Sequence, residues 1–428
     1  MAHSSTHFWH PFSDMSRVAG HEVVLDRAEG VWIWDEAGRR YYDATASLWY
    51  CNVGHGRAEL ADAAAQQMRR LDSYSTFGSY ANEPVLQLAA RVCALAPIPH
   101  AVAFFTTGGS DAVDTAAKLV RRYWRVVGQP ERRLIAVREG AYHGMNTYGT
   151  SLAGISANAD GYGDLVPGVV RVARDDAAAL ADTLDKRRGQ VAAFFAEPMI
   201  GAGGVYPPTD RYWADIQEIC RAHDVFLVID EVVTGFGRLG QWFASQRYDI
   251  QADLILGAKG ITSGYFPVGV VLCGERIQEP FWRGGAGLLR HGYTYSGHAT
   301  GAAVALANLD LIEAENLLAR VRELEGVLES TLGTLIGHPL VAEVRTAGLT
   351  GAVELDATVL REDPGTIDRV VASAQDRGVL TRSLVGRALH VSPPLITSAA
   401  ELADLTAKLR ESLDTVAEQR LIAPLARL

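Results

Sequence analysis

Six short apolar runs recur through the middle of this 428-residue chain: "AVAFFTT", "RRLIAVRE", "VAAFFAEP", "VFLVIDEV", "LILGAKG" and "VGVVLCG". Runs of this kind read as strands buried on both faces. Segments of helical spacing, such as "RYWADIQEICRAHD", separate several of them. Alternation of this type predicts an α/β fold, a mostly parallel sheet covered by helices on both faces. Ligands of open α/β sheets bind outside the carboxyl ends of the strands. The polar residues that close these runs fall there: Thr106 and Thr107, Glu197, Asp230 and Lys259.

The flanks read differently. "HEVVLDRAEGVWIWDEAGRRYYDAT" alternates apolar and polar residues around Glu29-Gly30 and Ala37-Gly38, which predicts short antiparallel strands. "ELADAAAQQMRRL" and "PVLQLAARVCALA" carry helical spacing. After about residue 310, "LDLIEAENLLARVRELEGVLESTL" reads as one helix, "VAEVRTAGLTGAVEL" as strand, and "AELADLTAKLRESLDTVAEQ" as helix. The expected organisation is a large ligand-binding domain over 61–310 and a smaller α+β domain. Residues 1–60 and 311–428 contribute to the smaller one.

A net charge of −10 argues against nucleic acid as the natural partner, which needs a basic surface. Cys51, Cys93, Cys220 and Cys273 lie far apart without metal-ligand spacing, and read as reduced thiols of a cytoplasmic protein. The start "MAHSSTHFWHPFSDM" has no apolar core and no run approaches 18 apolar residues, so neither export nor a membrane span is expected. His3, His7 and His10 are too loosely spaced to predict a metal tract, and no metal is expected.

The chemistry gathers in three places. In "FFTTGGSDAVDTAAKLVRRYW" a strand runs through Gly108-Gly109-Ser110 straight into helical spacing. Such a turn presents unpaired N–H groups and the positive end of the helix dipole, an anion site suited to phosphate. In "LILGAKGITSGYFPVG", Lys259 ends an apolar strand, where lost hydration lowers its pKa and favours the neutral amine that Schiff-base chemistry requires. In "VFLVIDEVVTGFGR" a buried strand ends on Asp230, a carboxylate that needs a positive partner. Pyridoxal 5′-phosphate satisfies all three at once: a phosphate for the turn, an aldehyde for Lys259, and a protonated ring nitrogen for Asp230.

"FLVIDEVVTGFGR", "GAKGITSGYFPVG", "HGYTYSGH", "AYHGM" and "EPMIGAGGV" together resemble the motif set of the class III aminotransferases, fold type I of the pyridoxal-phosphate enzymes. The likeness runs from "HPFSDM" near residue 10 to "SPPL" near residue 395, and within the class it is greatest toward the ω-transaminases. The resemblance implies a large domain with a seven-stranded sheet and a smaller domain built from both termini. It implies that Lys259 binds the cofactor and shuttles protons, and that Asp230 faces the ring nitrogen. Gly109 and Ser110 would hold the phosphate. Tyr142 would stack on one ring face with His143 beside it, and Val232 would press on the other. Glu197 would complete the polar network, and Thr294 would reach the cofactor phosphate of a neighbouring subunit. A homodimer with sites at the interface follows, acting on an amine donor and a keto acid acceptor.

Two departures from the wider class refine this. Relatives similar to 4-aminobutyrate aminotransferases carry Gln where this chain has Val233, and Glu where it has Ala202. Both substitutions resemble the ω-transaminase group. Trp49, Phe77 and Tyr142 would line a pocket for an apolar or aryl amine, which Gly78 would enlarge. In "LTRSLVGRALHVSPPL" the arginine that holds the keto acid's carboxylate is expected to be Arg382, with Arg387 the alternative. Lys259 and Asp230 would also serve an aminomutase, decarboxylase or racemase, and "WHPF" is similar to diaminopelargonate synthases. A protein that merely bound a phosphorylated ligand would have no use for Lys259.

Overall fold

The computed structural model describes residues 7–422, with side chains to residue 420. Its centre is a seven-stranded sheet: β1 (Val102–Thr106), β2 (Leu134–Arg138), β3 (Val169–Val172), β4 (Val191–Ala196), β5 (Phe226–Asp230), β6 (Leu254–Gly257) and β7 (Gly269–Cys273). Across the sheet the order is β1-β7-β6-β5-β4-β2-β3. The run from β6 to β3 is parallel, and β7 lies antiparallel to both β6 and β1. Every residue of β4, β5, β6 and β7 is buried, as their unbroken apolar runs require. β3 escapes the sequence pattern because it has four residues, one of them the exposed Arg171.

The helix after β1, α1 (Gly109–Val126), lays Val113, Ala116, Ala117, Val120 and Trp124 on the sheet. Helices Ala299–Ala314 and Leu317–Gly333 replace the single helix expected there. The break falls at Asn316, whose φ of 53° lies in the left-handed region and cannot continue a helix. The expected domain cut at 310/311 passes through the first of these helices.

The flanking segments build two smaller sheets. Strands Leu25–Glu29, Trp32–Asp35 and Arg40–Asp43 form the expected antiparallel meander, and Val379–Leu380 joins its edge in parallel. The second small sheet holds Val341–Ala347, Thr350–Leu355, Ala388–Val391 and Ser383–Leu384, in that order. Residues near both ends of the chain therefore share one sheet. All four cysteines are free, three of them buried. Among the described residues no helix is long and apolar enough to cross a membrane. His3 lies outside the described residues; His7 is exposed, and His10 lies 3.8 Å from Glu22.

Candidate active site

The two adjacent carboxylates that end β5 have different fates. Glu231 is fully buried and turns back into the protein. It accepts from Thr234 Oγ1 (2.6 Å), Ala244 N (2.8 Å), Ser245 N (2.6 Å) and Ser245 Oγ (2.7 Å). Asp230, 4% exposed, accepts from Val232 N at 3.0 Å and lies 2.8 Å from His143 Nδ1. No lysine or arginine pairs with Asp230 among the described residues. His143 is itself buried, and its Nε2 has no hydrogen-bond partner among the described residues. Glu197, at the end of β4, accepts from Tyr142 N (3.1 Å) and Gly201 N (2.9 Å); burial pushes its carboxyl up.

Lys259 follows β6 in a single 3₁₀ turn, Lys259–Ile261. Asn308 clamps that turn from helix Ala299–Ala314, donating to the carbonyls of Gly260 (2.9 Å) and Ile261 (3.0 Å). The backbone at Lys259 has φ 47°, a left-handed conformation that a long side chain rarely adopts. Desolvation lowers its ammonium to about 8, against the smaller opposing pull of Asp230 and Glu197. Its Nζ lies 5.7 Å from the ring centroid of Trp49 and forms no ion pair among the described residues.

Trp49 is presented by a turn in which Ala46, Ser47 and Trp49 all have positive φ. Asp43 holds this turn, both its oxygens accepting from Ser47 N (2.9 and 2.8 Å). Across the ring of Trp49 lies the guanidinium of Arg382, 4.5 Å from the centroid. Desolvation lowers the Arg382 guanidinium to about 10. Arg387 is engaged elsewhere: it donates to Tyr206 Oη at 2.7 Å and lies 3.6 Å from Glu354.

The first turn of α1 closes one end of the site. Gly108 begins the helix with no side-chain cap, which leaves the N–H groups of its opening residues available. Gly144 of "YHG" comes so close to Ser110 that an added Cβ would lie 2.4 Å from Ser110 Oγ. Met145 N donates to that hydroxyl at 3.2 Å. A Cβ on Gly109 would meet Val232 Cγ1 at 2.8 Å. Glycine is required because the helix end and the residue after Glu231 nearly touch.

The structure therefore gathers Gly109, Ser110, Tyr142, His143, Glu197, Asp230, Val232, Lys259, Trp49 and Arg382. It does not bring Phe77 or Thr294 to them within one chain. Phe77 is 56% exposed and Thr294 is exposed. Their segments are stitched to each other: Thr76 Oγ1 donates to Ser296 O (2.8 Å) and Asn82 Nδ2 to Gly297 O (2.8 Å). Sequence reasoning missed Asp43 and Asn308, which hold the two strained turns. It also missed His390 beneath Trp49, ring centroids 4.0 Å apart.

The sequence model of Aminotransferase class-III matches residues 15–413. The chain belongs to that family. This class III aminotransferase is 38% identical to the putrescine–pyruvate aminotransferase of Pseudomonas aeruginosa, over 97% of this chain and 95% of that one. An (S)-enantioselective omega-transaminase from Thermomicrobium roseum superposes with a TM-score of 0.92 and 37% identity, covering 96% of each chain. The omega transaminase of Pseudomonas jessenii, solved in complex with PMP, gives a TM-score of 0.92 at 32% identity over 96% and 97% of the chains. The cofactor of the family is pyridoxal 5′-phosphate, and the residues present fit it. There is an uncapped helix end for the phosphate, an amine of lowered basicity for the aldehyde, and a buried carboxylate lacking a lysine or arginine partner for the ring nitrogen.

The Gly109 contact gives a direct check. Gly109→Ala should weaken cofactor binding by about tenfold or more, since overpacking costs roughly 1–3 kcal/mol and the β-branched Val232 has little freedom to yield. Titration of the apoprotein with pyridoxal phosphate measures it. Unchanged affinity would separate the helix end from the cofactor.

Proposed function

We propose that this aminotransferase moves an amino group from an ω-amine or ω-amino acid to pyruvate or another keto acid. In this reading it works as a cytoplasmic homodimer whose large domain spans about 61–310 and whose smaller domain draws on both termini. The observation that carries the reading is Lys259: an amine of lowered basicity that shares one cleft with Asp230 and Arg382, where among the described residues neither Lys259 nor Arg382 has a carboxylate partner.

Pyridoxal phosphate, when bound, supplies an aldehyde that condenses with amines and a ring that accepts electrons from the neighbouring carbon. The chain's own residues do the rest. Lys259 Nζ takes the proton from the substrate carbon and returns it on the other side of the exchange. Asp230 keeps a negative charge against the ring nitrogen, with His143 and the N–H of Val232 fixing its orientation. The first turn of α1 neutralises phosphate charge. Tyr142 and Val232 wall the cleft. Trp49 excludes water beside Lys259 and carries Arg382, which binds the keto acid's carboxylate. Arg387, paired with Tyr206 and Glu354, is committed to the fold.

Subunit pairing is supported by an exposed apolar band. Tyr74, Phe77, Tyr80 and Tyr295 are each more than half exposed, on the joined segments that also carry Thr294. A band of this kind marks an interface. A second copy seated there would supply the Phe77 and Thr294 that one chain leaves at its surface.

Half-reactions of the purified cofactor form with putrescine, β-alanine, aryl-ethylamines and taurine test the reading, followed by bleaching of the cofactor. Alanine should appear when pyruvate is added to any amine that bleaches it. No alanine with any amine would favour an aminomutase, decarboxylase or racemase. Gly78 and Trp49 predict that aryl amines react.

A further inference from the structure

Arg382 and His390 face each other across a hairpin whose strands are Ser383–Leu384 and Ala388–Val391. His390 N donates to Arg382 O at 3.0 Å, so the two side chains leave the hairpin as neighbours. Arg382 Nε donates to His390 Nδ1 at 3.4 Å. His390 Nε2 lies 2.8 Å from Ser392 Oγ, which in turn bonds Thr350 Oγ1. His390 is wholly buried, and desolvation holds its imidazole well below the usual histidine range, with the charges of Arg382, Arg238 and Lys259 adding to that. A neutral ring whose Nδ1 accepts must carry its proton on Nε2, so the arginine bond fixes the tautomer.

Among the described residues, Arg382 has no other side-chain partner and no carboxylate. Its guanidinium carbon lies over the Trp49 ring, and His390 lies against the same indole. With Nε tied to His390, the edge left free is the pair of terminal nitrogens, which matches a carboxylate bidentately. We propose that His390 is a positioning residue. By capturing Nε through a buried, neutral imidazole, it aims the Nη1/Nη2 edge of Arg382 at substrate carboxylate and sets the preference for keto acids over uncharged carbonyl acceptors. The proposal rests on the reading of Arg382 given above.

Three variants and two substrates test it. His390→Phe keeps the ring under Trp49 and removes the acceptor. It should raise KM for pyruvate about tenfold, the effect of losing one hydrogen bond to a charged group. The half-reaction with an aryl-ethylamine, which has no carboxylate, should be unchanged. His390→Asn places an amide oxygen near the Nδ1 position and should recover most of the pyruvate KM, which a purely structural role would not predict. Arg382→Ala serves as the reference and should raise the pyruvate KM further. If Arg382→Ala raises it and His390→Phe does not, the positioning role is wrong. If neither does, the carboxylate reading falls and the proposal with it. Equal loss toward pyruvate and the aryl amine in His390→Phe would also overturn it. Should His390→Phe fail to fold, His390→Asn decides: a pyruvate KM that rises in step with the amine KM counts against the proposal.

Discussion

Lys259→Ala should abolish turnover, with a loss on the order of 10⁴-fold, the upper end of what a single acid–base group contributes. The variant should fold. Alanine meets the same backbone strain at φ 47° that lysine already bears, and Asn308 still clamps the turn through main-chain carbonyls. Borohydride treatment of the parent enzyme with its cofactor should place a mass tag on Lys259, and the variant should carry none. A tag elsewhere, or substantial residual turnover, would remove the lysine from its role. Because the ammonium is lowered to about 8, cofactor uptake by the apoprotein should quicken as pH rises through 8. The same shift has a consequence for stability. Between about 8 and the usual lysine range the unfolded chain holds a proton that the native one lacks. Stability of the apoprotein therefore gains with pH across that window from this group, and below it the penalty is constant.

Asp230→Asn should leave shape and stability nearly intact while kcat falls about 10²–10³-fold, the scale seen for loss of one electrostatic contact to developing charge. The asparagine oxygen can still accept from Val232 N, whereas no negative charge remains to keep the ring nitrogen protonated. Single-turnover rates with the best amine, beside a thermal melt of the apoprotein, separate the two effects. A melt that collapses would make Asp230 structural, and an unchanged rate would detach it from the ring.

Asp230 and Lys259 were legible because a charged residue at the end of a buried strand needs a purpose, and chain order puts such strand ends on one edge. The glycine turn into α1 was legible for the same reason. Spacing left Arg382 and Arg387 both open; in the structure Arg382 lies over Trp49, whereas Arg387 contacts Tyr206 and Glu354. Asp43, Asn308 and His390 were not legible. Asn308 reaches Gly260 across 48 positions and His390 packs on the distant Trp49, contacts of which local pattern carries no trace, while Asp43 holds Ser47 only four positions on, in a turn whose positive φ the sequence does not announce. β3 was lost to its brevity, and the helix break at Asn316 to helical spacing of apolar residues on both sides of it. Phe77 and Thr294 show a different limit, since their segments meet on the outside of a single chain.

The parallel pairing of Val379–Leu380 with Arg40–Asp43 ties together two segments that lie far apart in the chain. During synthesis the first small sheet emerges early and waits, its edge unpaired, while more than three hundred further residues are made. Trp49, Lys259 and Arg382 come from three distant stretches, so no nascent fragment holds a working centre. Closing such long intervals is slow, and an uncovered edge invites pairing with other chains. Assembly of this enzyme should therefore be most vulnerable just before Val379 and Leu380 leave the ribosome, when a chaperone would be of most use.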